Sequence, residues 1–225
     1  MTRSVSATLI FGFFGLAVLI GLGAWQAQRL GWKTALLAEM DARIAAAPVA
    51  LPANPDPVRD DYLPVTVTGT LTGPDLRVLA SRKTIGPGYR IVTALQTDTG
   101  RRILIDRGFL PVSADAAPTR PEGMVSFTGN LHWPDEVDGY TPEPDPAANL
   151  WFARDVPRMA AALGTDPVLV IARATSDRVP PLEPLPVDTA AIPNNHLQYA
   201  ITWFSLALIW AGMTLVMVRR IRRGK

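Results

Sequence analysis

The 225-residue chain contains no cysteine. No disulfide can brace it, and no thiolate is available as a nucleophile or a soft metal ligand. It has two histidines, His132 and His196, so a zinc site would need carboxylates to complete it, and none is expected. No H-E-x-x-H, G-x-S-x-G, Walker loop or G-x-G-x-x-G occurs, which removes the signatures of zinc peptidases, serine hydrolases, phosphate-binding loops and dinucleotide folds. Asp60 with Asp61, and Asp135 with Glu136 and Asp138, are close in sequence but lie among loop residues. They read as solvated acids rather than as a paired acid and base.

The most informative absence is positional. No charged residue stands between Arg3 and Arg29, and none between Asp188 and Arg219. Each gap exceeds the roughly 20 residues that a bilayer requires, so both ends of the chain are expected to span a membrane. All acidic residues lie between Glu39 and Asp188. Sixteen basic against twenty acidic residues leave the middle at net −4, while the flanks carry +6. Arg219, Arg220, Arg222, Arg223 and Lys225, immediately after the second apolar run, set the expected orientation with both termini cytoplasmic. The basic excess is therefore a topological signal that also favours anionic lipid headgroups, and no nucleic-acid partner is expected.

The layout follows as a cytoplasmic N-terminus (1–4), a first span (5–27) read as an uncleaved signal anchor, and a helical extension (28–47). A periplasmic β-rich domain with a proline-rich tether (48–193), a second span (194–218) and a basic cytoplasmic tail (219–225) complete it. The simplest compartment is a bacterial inner membrane. Helical spacing of Leu30, Leu36, Leu37, Met40 and Ile44 carries the first helix past the bilayer, until Pro48 and Pro52 end it. Trp25 and Trp32 fit an interfacial aromatic pair. The small pairs Ala17 with Gly21 and Ala207 with Ala211 permit close helix packing.

In the middle, Val, Thr and Ile alternate with polar residues in short segments. Strands are expected at 62–71, 77–80 and 124–131, with a hairpin of 89–97 and 101–110 turning through Asp98, Thr99 and Gly100. An exposed loop covers 135–148. A short helix at 155–163 takes Asp155 as N-cap, Pro157 in its first turn and Gly164 at its end, and a strand resumes at 168–172. Five prolines make 180–193 an extended, stiff tether. The fold class is an α+β membrane protein, two transmembrane helices flanking a β-rich antiparallel domain with one short helix.

Chemistry concentrates at one membrane face. Gln26 and Arg29, at the outer end of the first span, lie at about the depth of His196 at the start of the second. Tyr199, Ala200, Trp203, Ala207 and Trp210 follow His196 at spacings of three and four, a stripe on which a flat apolar cofactor can lie. Imidazole is a common axial ligand of haem iron, and Arg29 is the natural partner for a propionate. The competing reading is that His196 caps the second helix together with Asn194 and Asn195.

Four segments, in order, carry a resemblance: Gly23-Ala-Trp-Gln-Ala-Gln-Arg-Leu-Gly-Trp-Lys33, Ile105-Asp-Arg-Gly-Phe-Leu-Pro111, Asn149-Leu-Trp-Phe-Ala-Arg-Asp-Val156 and Pro193-Asn-Asn-His-Leu-Gln-Tyr-Ala200. Together with the two-span layout they resemble the surfeit locus protein 1 family. Ala153 departs from the aromatic residue often found there, which bears on local packing. The resemblance implies a non-catalytic assembly factor for haem-copper oxidases, chiefly cytochrome c oxidase, acting around haem a insertion into the catalytic subunit. It implies His196 as haem ligand and places Trp25, Gln26 and Arg29 in the signature of the first span. The implied cofactor set is then haem a, bound transiently by His196, Arg29, Trp25, Gln26, Tyr199 and Trp203. The implied partners are the oxidase catalytic subunit, a haem a synthase and membrane lipid. The alternative is a scaffold that stabilises oxidase assembly intermediates without binding haem. A membrane-anchored hydrolase would require Asp106, Arg107 and Asp155 to converge.

Overall fold

The computed structural model describes residues 3–114, 120–176, 182–190 and 192–223; Pro180 and Pro181 of the expected tether and Lys225 of the basic tail lie outside them. The chain divides into two compact units, one of residues 40–188 and one formed by the two ends.

The first unit is a closed β-barrel. Its strands are β1 (Val49–Ala50), β2 (Pro64–Arg82), β3 (Gly86–Thr97), β4 (Arg102–Pro111), β5 (Met124–Leu131), β6 (Leu150–Trp151) and β7 (Leu169–Thr175), with one short helix, α2 (Val156–Leu163), packed on the outside. Strands β2, β3 and β4 follow one another as hairpins, and β5 returns to lie beside β2, giving a Greek key. Strand β7 then fills the space between β4 and β5 and closes the ring. The hairpin, β5, β7 and the capped helix stand where they were expected. The sheet is mixed rather than purely antiparallel: β7 runs parallel to β4, and the two-residue strands β1 and β6 run parallel to β2.

The expected separate strands at 62–71 and 77–80 are one 19-residue strand. Gly73 and Pro74 look like a break, but the register shifts between Thr72 and Asp75, so they bulge out and the ladder continues. Gly73 supplies the positive φ (69°) that such a bulge uses. Because β2 is so long, its first half pairs with β5 and its second half with β3, the division that lets a few strands close a ring.

Alternation of side chains explains the two cores. Val65, Val67, Leu71, Leu95, Ile103, Ile105, Phe127, Leu131 and Val170 fill the barrel. Their neighbours Leu76, Val78, Val92, Leu104, Leu169 and Ile171 point outward and are covered by Met159, Ala160 and Leu163 of α2 and by Trp151. Strand β4 is therefore buried on both faces, so it reads as an apolar run. Helix α2 starts at Asp155, whose carboxylate accepts from the Arg158 N–H, and stops at Gly164 in the left-handed region. Both ends match the sequence expectation.

The expected tether is extended, but it is pinned to the barrel. Phe109 and Glu183 exchange backbone hydrogen bonds of 2.7 and 3.1 Å, and Arg90 Nη1 donates to the Leu185 carbonyl at 3.1 Å. Gly108 makes this possible. Its φ is 121°, and a Cβ there would fall 2.0 Å from the Glu183 oxygen.

The second unit is a helix pair. Helix α1 (Arg3–Ile44) is unbroken over 42 residues because no proline interrupts it, and α3 (His196–Arg223) covers 28. Both are long and apolar enough to cross a membrane. Ile10, Phe13, Phe14, Leu208, Ile209 and Met213 are exposed, as lipid-facing side chains must be. In α1, Val5, Gly12, Leu19 and Gln26 recur every seven residues with Leu16, Gly23 and Leu30 between them, and these withdraw from the surface. Ala200, Trp203, Ala207, Trp210 and Thr214 do the same in α3. This is the spacing of an antiparallel, coiled-coil-like seam.

Glycine sets the distance between the two helices. A Cβ on Gly12 would lie 2.2 Å from Thr214, on Gly15 2.5 Å from the Trp210 ring and on Gly23 2.8 Å from Phe204. Trp210 Nε1 donates to the Gly12 carbonyl at 2.9 Å. The small pair proposed in α1 is corrected by this: Ala17 is exposed, and Gly21 has nothing within 4 Å of its Cβ position. Ala207 of the other pair is in the seam.

Candidate functional site

The helix pair brings together two of the expected site residues from opposite ends of the chain. His196 Nδ1 lies 2.8 Å from Gln26 Oε1. With the carboxamide oxygen facing the ring, Nδ1 donates to it, and the bond leaves Nε2 uninvolved. The ring therefore does not cap its own helix; the bond crosses the seam. One turn further out, Asn194 Nδ2 approaches Thr34 Oγ1 at 3.5 Å, a second polar contact between the same two segments.

The other expected residues are arranged differently. The Arg29 guanidinium lies over the Trp32 ring, 4.5 Å from its centroid, on the exposed flank of α1. Trp25 and Tyr199 are 51% and 54% exposed, outside the seam and available to an apolar ligand. Trp203 is half-buried within the seam. The stripe below His196 is corrected as a cofactor surface: Ala200 and Ala207 are buried against α1, so that face is helix packing. Sequence reasoning missed Gly12, Gly15 and Gly23 as seam residues. The heptad recurrence of Val5, Gly12, Leu19 and Gln26 was the signal available.

As a test of fit, haem requires a neutral imidazole with one free nitrogen, a cation for a propionate and exposed apolar surface. His196 offers the first through its bond to Gln26. Arg29 offers the second, and Trp25 and Tyr199 offer the third. The donor set thus suits a single axial ligand. Among the described residues, no group of three or more His, Cys, Asp or Glu residues is placed to hold a bare metal ion.

In the barrel, the apolar β4 run hides two charged residues. Asp106 is fully buried; its carboxylate accepts from Arg90 Nη1 at 2.6 Å and from the Gly108 N–H at 3.0 Å, with Arg154 Nη1 at 3.8 Å. Arg154 in turn grips Glu136. Burial pushes the Glu136 carboxyl up, but the Arg154 hydrogen bond and charge outweigh it and hold the group below its usual range. Arg107 lies 3.6 Å from Asp75, which also pairs with Arg120 at 3.0 Å and accepts from Thr93. Asp155 caps α2. Asp106, Arg107 and Asp155 therefore serve three separate structural contacts and do not converge. His132 Nδ1 lies 2.9 Å from Asp61 while Tyr62 stacks on its ring, a closed structural pair.

Comparison with known proteins agrees with this architecture. The SURF1 family model matches residues 13–208, which takes in the barrel, Gln26 and His196. Surfeit locus protein 1 of Rattus norvegicus is 33% identical over 218 residues, 87% of this chain and 71% of that protein. The Homo sapiens protein of the same name is 32% identical over 227 residues, 91% and 74% of the respective chains. A SURF1-like protein of Monosiga brevicollis is 33% identical over 224 residues, 90% and 84%. With a family match over residues 13–208 and relatives 32–33% identical over 87–91% of its length, the chain belongs to the SURF1 family.

Proposed function

We propose that this chain is a non-catalytic assembly factor for a haem-copper terminal oxidase, cytochrome c oxidase, and that it holds haem a transiently for insertion into the catalytic subunit. The observation that carries the cofactor reading is the 2.8 Å contact of His196 with Gln26. A carboxamide acceptor on Nδ1 fixes the tautomer and orients the ring, as partners of metal-bound histidines do. In this reading Nε2 of His196 takes the iron. Arg29 leaves its stack on Trp32 to meet a propionate, and Trp25 and Tyr199 shield the macrocycle edge. Trp203 belongs to the helix packing beneath the site. The haem would be cargo, held by His196 through one ligand bond.

The β-barrel is the docking body for the oxidase catalytic subunit or a haem a synthase. The arginines at the C-terminal end of α3 support an orientation with both termini cytoplasmic and the barrel periplasmic, in a bacterial inner membrane. A second reading, a scaffold that stabilises oxidase intermediates without touching haem, is favoured by the seam below His196, where Ala200 and Ala207 are buried.

The full chain purified in detergent from cells that make haem a distinguishes the two. On the haem reading, the wild-type protein carries a haem spectrum that His196→Ala loses, while Gln26→Leu weakens retention about 10- to 100-fold. Identical haem content and spectra in wild type and His196→Ala would overturn the ligand assignment. Co-purification with the oxidase subunit from a haem a deficient strain would favour the scaffold.

A further inference from the structure

A second ligand surface lies toward the other end of the helix pair, and nothing in the cofactor reading uses it. An open groove of about 880 Å³ runs between Thr8 and Phe11 of α1 and the flank of α3 formed by Ile209, Met213 and Met217, and it ends at Arg220. One wall is rigid. Trp210 is fixed by its hydrogen bond to the Gly12 carbonyl, and its ring packs on Phe11 with centroids 5.3 Å apart.

Dimensions and charge both point to the occupant. From Ile209 to Arg220 is eleven helical steps, about 16 Å along a helix, which is half of a hydrocarbon core about 30 Å thick. The groove is therefore one leaflet long, apolar along its length and cationic at one end. Among the described residues of the helix unit the sole acidic side chain is Glu39, far along α1, so no Asp or Glu of the helix pair stands near Arg220. Arg219, Arg222 and Arg223 surround it in sequence. A second copy packed side by side in the same orientation would bring two such arginine clusters together, so self-association is disfavoured there.

We propose that this groove seats one acyl chain of an anionic glycerophospholipid, with Arg220 on its phosphate. The lipid completes the membrane-embedded surface of α1 and α3.

Gly212 provides a clean test. It lines the groove, and a Cβ there meets nothing within 4 Å, so a large side chain enters the groove without striking the protein. The full chain in mild-detergent micelles is mixed with phosphatidylglycerol or phosphatidylcholine of identical chains, and retained lipid is counted by native mass spectrometry. Wild type retains phosphatidylglycerol about fivefold better, the contribution of one arginine near the headgroups. Arg220→Gln erases that preference, Arg222→Gln outside the groove leaves most of it, and Gly212→Phe lowers retention of both lipids. Equal retention of the two lipids by wild type, equal losses in Arg220→Gln and Arg222→Gln, or undiminished retention in Gly212→Phe would overturn the proposal. So would a wild-type dimer that Gly212→Phe converts to monomer, since the occupant would then be a second copy. Arg220→Gln changes an exposed side chain, so its result stands even if Gly212→Phe fails to fold.

Discussion

Replacing Asp106 by asparagine tests whether the barrel depends on the charge buried in β4. The carboxylate is fully buried and binds Arg90 at 2.6 Å, and the Arg90 side chain is itself 14% exposed. Breaking one partner of a buried pair leaves the other charge uncompensated, at a cost of about 3–5 kcal/mol. The geometry places this variant toward the lower figure: Arg90 keeps the Leu185 carbonyl, Arg154 keeps Glu136, and the new carboxamide oxygen can still accept from the Gly108 N–H. Asp106→Ala also strands that N–H and should lose about 1–3 kcal/mol more. For a barrel unit of this size, about 3 kcal/mol lowers the melting temperature by roughly 6–12 °C. Calorimetry of the full chain in detergent reads the shift. In an Arg90→Met background the asparagine substitution should cost distinctly less, because the stranded cation is gone. A shift under about 2 °C for Asp106→Asn, or strict additivity with Arg90→Met, would refute the view that this pair is coupled.

Two further outcomes follow from the geometry. Gly12→Leu drives a side chain into Thr214 and should weaken the helix pair by about 1–3 kcal/mol, whereas Gly21→Leu faces open space and should be neutral within about 0.5 kcal/mol; reversible unfolding in mixed micelles compares them. The Arg59 hydrogen bond, the Asp56 backbone N–H and the Arg59 charge hold the Asp60 carboxyl at about 2. Since that value lies below the unfolded one, the stabilisation is complete above about pH 4 and disappears as pH falls toward 2, so the stability gap between wild type and Asp60→Asn should close over that window.

What could be read from the sequence was whatever repeats locally. Alternation in β5 and in the β3–β4 hairpin, the Asp155 and Gly164 caps of α2, and the two uncharged runs all depend on neighbours within a few residues. Contacts between distant segments were less visible. The parallel pairing of β7 with β4 joins residues about 65 apart, and Glu183 reaches Phe109 across a similar interval. Gly73 and Pro74 imitate a loop because a bulge and a turn use the same residue types. Asp106 and Arg107 gave a usable signal, being charges inside an apolar strand, and such residues need buried partners. At the candidate site, the motif spacing anticipated that Gln26 and His196 share a depth, but not that their side chains bond directly. That contact depends on Gly12, Gly15 and Gly23, which let the helices approach.

The order in which the ring closes has a consequence for incomplete chains. Strand β2 waits for β5, more than fifty residues later, and both β4 and β5 keep an unpaired edge until β7 is made. A polypeptide truncated before residue 169 would thus present two raw strand margins to any neighbour, a state prone to aggregation and proteolysis. Premature stops even late in the barrel should therefore remove the protein altogether rather than leave a partly working one.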